Sequence, residues 1–260
     1  MNFGLNKRQK IIVASIILTF GLLSTQLVDF NLRFRFLAGL TVLAYLISLW
    51  ALWEGLNLLK AAVILILPTL FVLGLASFYF LLPVRWLTRL PIALLFGLSL
   101  YSLLLSQNVF NVAAIRTIPL YRAASTVAFL FTLITAFFLF NVIHAFNLLF
   151  VWNGLLVFLV SFFLIFQILW SVNMDEKLRS SVMVQSLLLS LCMGELALVF
   201  SFWPIVTTMW SITLASAMYV FVGLSTQFLR ERLTRRVTWE YLTIGVLVFL
   251  VAFLTTSWTG

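Results

Sequence analysis

Long stretches without a charged residue alternate with short charged ones along this chain. No Asp, Glu, Lys or Arg stands between Lys10 and Asp29, Arg35 and Glu54, Lys60 and Arg85, Arg89 and Arg116, Arg122 and Asp175, Glu195 and Arg230, or after Glu240. The stretches are predominantly apolar and do not alternate, so they do not read as barrel strands, whose segments of ~10 residues alternate inward and outward positions. A bilayer core of ~30 Å takes about 20 apolar residues in a helix, and backbone in lipid must satisfy its own hydrogen bonds. The pattern predicts an all-α polytopic transmembrane helical bundle, one membrane domain of about nine spans. They are 11–28, 36–53, 61–82, 90–107, 123–143, 148–172, 180–203, 204–228 and 241–258. Two runs must be divided. Residues 123–174 exceed one helix, and Asn141, His144 and Asn147 mark a hairpin within them. In 180–229 the turn is Trp203-Pro204, because proline ends the helix before it.

Composition agrees with the pattern. Hydrophobic residues make up 64% of the chain and charged ones 9%, against about 25% charged in a soluble domain. Too little polar surface is left to face water. The net charge of +9 would point to nucleic acid in a soluble protein. Here the cations sit between apolar runs, where anionic lipid headgroups are the expected partner and nucleic acid is not. Their distribution predicts orientation. With the N-terminus inside, the inner segments hold Lys7, Arg8, Lys10, Lys60, Arg116, Arg122, Lys177, Arg179, Arg230, Arg232, Arg235 and Arg236; the outer ones hold Arg33, Arg35, Arg85 and Arg89. Deleting span 90–107 would reverse that bias, so the span is kept and the C-terminus falls outside. A bacterial-type plasma (inner) membrane is the expected location. The first run, 18 residues from Ile11, is longer than a usual signal-peptide core and lacks a small-residue cleavage site, so it reads as a retained span. Trp50, Trp53, Trp86, Trp152, Trp170, Trp203, Trp239 and Trp258 fall near predicted span ends, as an interfacial belt requires.

Glu195 is the acidic residue that falls deep inside a span. It lies ~22 Å along its helix from Ser180, where an ionised carboxylate is costly. It is expected to point into the bundle at the depth of Ser211, near Thr207 and Thr208, as a proton-coupling or substrate-binding carboxylate, or as a structural group that is neutral or contacted by a polar group of the next helix or an outer arginine. Its own helix face carries Leu188, Leu191, Cys192 and Val199, which offer no countercharge. Arg33 and Arg35, read as an extended or turn stretch that points both the same way, and Arg85 and Arg89, at i, i+4, run against the positive-inside bias. They are either an outward basic pocket for a phosphate or carboxylate or interfacial arginines snorkelling to headgroups, the plainer reading. His144, with Asn141 and Asn147, is expected in the outer hairpin. Leu229, Leu233, Val237 and Tyr241, spaced by four with Arg230, Arg232, Arg235 and Arg236 between them, read as an interfacial segment contacting anionic lipid.

Enzyme templates fail one by one. Asp29 and Asp175 are both in predicted loops, so no pair of membrane aspartates exists. A His-Glu-x-x-His motif is absent, and one histidine with one cysteine gives neither an imidazole-based zinc site nor an intramolecular disulfide. Gly223-Leu224-Ser225-Thr226 has a loose likeness to a membrane serine-protease motif, but His144 lies upstream of it and on the other predicted side. No cofactor or metal is expected. Trp53-Glu54-Gly55-Leu56 and Trp152-Asn153-Gly154-Leu155 look alike, yet their flanks do not extend the match into an inverted repeat. Two function classes follow. One is a non-enzymatic membrane protein, transporter-like or a subunit of a membrane assembly. The other is a membrane-embedded enzyme acting on a lipid-linked or headgroup substrate at the outer face, with Glu195 and His144 as acid and base. That enzyme would need both groups and an arginine around one pocket.

Overall fold

The computed structural model describes residues 6–25, 32–81, 86–112, 118–174 and 178–256, with side chains except at 86–89 and 118–119. The helices are α1 Lys7–Ser24, α2 Arg33–Leu52, α3 Leu58–Ile64, α4 Ile66–Tyr79, α5 Trp86–Val112, α6 Ile118–Ala145, α7 Phe150–Asn173, α8 Ser180–Phe200, α9 Thr207–Leu229 and α10 Arg235–Thr255. No strand occurs among the described residues. With α3 and α4 counted as one interrupted rod, each predicted span falls on one helical rod. Eight rods are long and apolar enough to cross a membrane. The other, α1, is 18 residues long and carries Lys7, Arg8 and Lys10 near its start.

Several boundaries differ from the sequence reading, each for a local reason. The span predicted at 61–82 breaks at Leu65, between α3 and α4. Pro68 has no N–H to give the carbonyl of residue 64, and its ring crowds that carbonyl. The last rod begins at Arg235 rather than 241, because the Thr234 side chain accepts from the Val237 N–H and caps it. Leu229–Tyr241 is therefore not one amphipathic segment. Leu229 ends α9, and Glu231 turns the chain at φ 55°. Arg33 and Arg35 are not extended either; they occupy the first turn of α2. The two Trp-x-Gly-Leu segments part company as well: Gly55 lies in a turn at φ 86°, while Gly154 lies inside α7.

The chain divides into two compact units, Met1–Phe131 and Thr132–Gly260. In the first, α1 packs on α2 and α5, and α2 packs on α4. Its centre is aromatic: Phe71 stacks on Phe96 at 5.9 Å and meets Phe131 edge-on at 5.5 Å. In the second unit α8 lies along α7, and α10 along α9. The α7–α8 seam is set by glycine. A Cβ at Gly194 would lie 3.0 Å from the Gly154 carbonyl oxygen, and one at Gly154 would lie 3.1 Å from that of Gly194. Small residues of this kind let helix backbones approach closely where lipid offers no hydrophobic drive. Ser186, Ser190, Met193 and Ala197 complete the buried face of α8. The far rod, α10, buries Ala252 alone of its 21 residues, and Leu247, Leu250 and Leu254 are exposed. Trp50, Trp53, Trp152 and Trp239 are exposed near rod ends, whereas Trp170 and Trp210 are buried.

Candidate functional site

At one end of the second unit the close of α6 meets the start of α9. The chain turns after Ala145 through Asn147, which sits at φ 50°, a conformation that asparagine tolerates better than most residues. This leaves His144 in the last turn of α6, where its Nδ1 is 3.1 Å from the Thr207 hydroxyl. Its ring lies 4.7 Å from that of Trp210. Trp210 is fully buried, and its indole N–H has no acceptor among the described residues. Nearby in sequence, the Asn153 amide donates to the Ser201 hydroxyl at 3.2 Å, tying the start of α7 to the end of α8. The hairpin predicted from Asn141, His144 and Asn147 is therefore present, and its histidine is held by a hydroxyl and an indole.

Glu195 departs from expectation. It does not point into the bundle, and Ser211 is not its partner. Ser211 is buried and donates to the Thr207 carbonyl of its own helix at 2.8 Å. Glu195 is exposed on α8, on the same side as Leu188, Leu191, Cys192 and Val199. The cause lies one residue earlier. Gly194 must face α7 for the backbones to approach, and the next residue of an α-helix is turned by roughly 100°. Among the described residues, Glu195 has no hydrogen-bond or ionic partner.

The first unit contains a polar cluster that the sequence reading missed. α2 ends at Leu52 with its last carbonyls unpaired, as every helix does. The Asn111 amide donates to the carbonyls of Leu52 and Glu54, at 2.9 and 3.0 Å. Lys7 donates to the Glu54 carbonyl at 2.9 Å, and Lys10 meets the Glu54 carboxylate at 2.7 Å. The hydrogen bond from Lys10, and then its charge, hold the Glu54 carboxyl below its ordinary value. Arg8 donates to the Tyr101 hydroxyl at 3.2 Å. One carboxylate thus binds the start of α1 to the end of α2, with α5 supplying the cap. A signal was available, since alternating crossings put the start of α1 and the end of α2 on one membrane face.

The arginines divide. Arg33 lies over the Phe80 ring, 5.5 Å from its centroid, a cation–π arrangement. Arg35 is exposed and lines a groove between α1 and α2 with Gly21, Ser24, Gly39 and Leu43. Residues two apart on a helix point to different sides, so the two do not form one pocket. Arg85, and the side chain of Arg89, lie outside the described residues. On the α9–α10 connection, Arg230 follows α9, Arg232 precedes α10 and Arg235 opens it. Arg236 pairs with Glu240 at 3.2 Å, both well exposed.

No curated protein and no solved structure matches the chain. A family model described as a protein of unknown function, DUF5656, matches residues 51–255. The match takes in α3 to α10 and leaves α1 and nearly all of α2 before it. It covers well over half of the 260 residues, with the glycine seam, the His144 cluster and Glu195 all inside it. On that coverage, the chain belongs to the DUF5656 family.

Proposed function

We propose that this protein is a non-catalytic, multi-pass subunit of a membrane assembly. The observation that carries the reading is the position of Glu195, a carboxyl exposed on an otherwise apolar face of a helix long enough to cross a membrane. Left in lipid, such a group carries a cost, which for an aspartate at mid-membrane is ~3 kcal/mol on the translocon scale and is smaller toward a membrane face. A protein surface that supplies a hydrogen bond or a countercharge removes that cost. Lipid-exposed carboxyls therefore favour lateral protein contact.

The enzyme reading needs an acid–base pair facing one pocket. Glu195 faces away from the packed side of α8, and His144 is engaged by Thr207 and Trp210. Among the described residues the grooves include apolar surface clefts, such as the one of about 450 Å³ between α1 and α5. We place the N-terminus at the cytoplasmic face of a bacterial-type plasma membrane, with Arg230, Arg232, Arg235 and Arg236 against anionic headgroups there. The charge asymmetry supports that placement.

Extraction of the protein in mild detergent tests the reading. On native gels the wild type is expected to run in a species larger than one chain, and Glu195→Leu to release the single, folded chain. A wild type that runs as one chain contradicts the proposal.

A further inference from the structure

We infer that the exposed face of α8 docks into the α1–α2 groove of a second copy of this chain, pairing Glu195 of one copy with Arg35 of the next. The inference rests on the subunit reading above and names the partner. The groove has a cavity volume of about 630 Å³ and an apolar lining whose charged member is Arg35. Among the described residues, neither Arg35 nor Glu195 has an ionic or hydrogen-bond partner. Both charges stand on apolar surfaces near the ends of their helices, where each must reach toward headgroups or find a partner, and pairing satisfies both at once. At Gly39 an added Cβ would meet nothing within 4 Å. A neighbouring helix can therefore approach the α2 backbone there, as small residues permit in membranes.

The register of the two helices agrees with this pairing. α2 is the second rod and α8 the seventh, so in an alternating chain they cross in opposite directions. Arg35 is the third residue of α2, and Glu195 stands five before the end of α8. Both therefore lie within about a turn and a half of the same membrane face. Moving away from that face, Gly39 comes four residues after Arg35, and Cys192 three before Glu195. These are displacements of ~6 and ~4.5 Å. Leu43 and Leu188 come next, at ~12 and ~10.5 Å. Charge meets charge, small residue meets small residue, and leucine meets leucine, and all six are exposed. Because the two surfaces are unlike, the contact is heterologous and closes as a ring, or twice over as a symmetric pair.

Cys192, the one cysteine in the chain, is a built-in reporter. The test uses full-length Gly39→Cys protein, expressed as two differently tagged copies in native membranes and oxidised with copper phenanthroline. Disulfide-linked species containing both tags are expected with Gly39→Cys, and not with wild type or with Gly39→Cys/Cys192→Ser. Arg35→Glu, and the milder Arg35→Gln, should cut the yield at least fivefold; Arg35→Glu combined with Glu195→Arg should restore it. Cross-linking of wild type through Cys192 alone would overturn the inference in favour of α8 against α8, leaving the subunit reading intact. A native complex lost in Glu195→Leu but unchanged in Arg35→Glu would do the same. A disulfide within one chain, or no cross-link at all, also overturns it. A wild type that is one chain in the membrane overturns both.

Discussion

Between Gly154 and Gly194 the backbones of α7 and α8 come close enough that one extra methyl group must displace backbone or the Phe158 side chain. Gly194→Ala, and more so Gly194→Val, should destabilise the second unit by about 1–3 kcal/mol, the usual penalty of overpacking a filled site. A lowered thermal midpoint in detergent would show it; an unchanged midpoint would mean the seam is looser than described. The Lys10–Glu54 pair makes a smaller and pH-dependent contribution. Its carboxylate is 57% exposed, so about 0.2–1 kcal/mol is expected. Because the folded pKa is lowered, the stabilisation is complete above the unfolded pKa and disappears as pH falls through the folded one. The melting difference between wild type and Glu54→Gln should be present at neutral pH and vanish on acidification. A difference that grows in acid contradicts this account. Alternating crossings put Lys10 and Glu54 on one membrane face, but only the structure shows that they pair. Lys10 counted only as a topology charge, and the rotation of α8 depends on a contact with α7 that nothing in its own sequence reveals.

The rods themselves were legible because a bilayer imposes their length. Charge-free runs near 20 residues leave few alternatives to helices, and the Asn141–Asn147 hairpin and the Trp203-Pro204 turn separate α6 from α7 and α8 from α9 as their residue types imply. Ends were less legible. α1 begins at Lys7 rather than Ile11 because Asn6 and Gln9 form the start of a cap, the Asn6 N–H donating to the Gln9 side chain at 2.9 Å. Rotation about each axis was least legible. A helix apolar all round has no amphipathic face to read, so the sequence of α8 alone does not show that Glu195 faces outward. Four arginines, Arg230, Arg232, Arg235 and Arg236, gather around the start of α10, and the exposed Arg236–Glu240 pair adds little stability. The expected role of the four is orientation. With Arg230, Arg232, Arg235 and Arg236 all replaced by Gln, a reporter fused at Gly260 should divide between the two membrane sides. A reporter that stays on one side would show that packing, not charge, holds α10.

On the scale of the molecule, two compact helical units present apolar surface, and among the described residues α8 adds a carboxyl to such a surface, five residues before its end. The orientation proposed here puts fusions at Lys177 and Gly260 on opposite sides of the membrane; both on the cytoplasmic side would contradict it. Glu195, as proposed, belongs to a contact between proteins. The most direct measurement is the mass of the particle in polymer-extracted native-membrane discs, where detergent cannot fill the contact. The account predicts discs holding more than one protein chain for the wild type and a single chain for Glu195→Leu at equal expression. One chain per disc for both would contradict it.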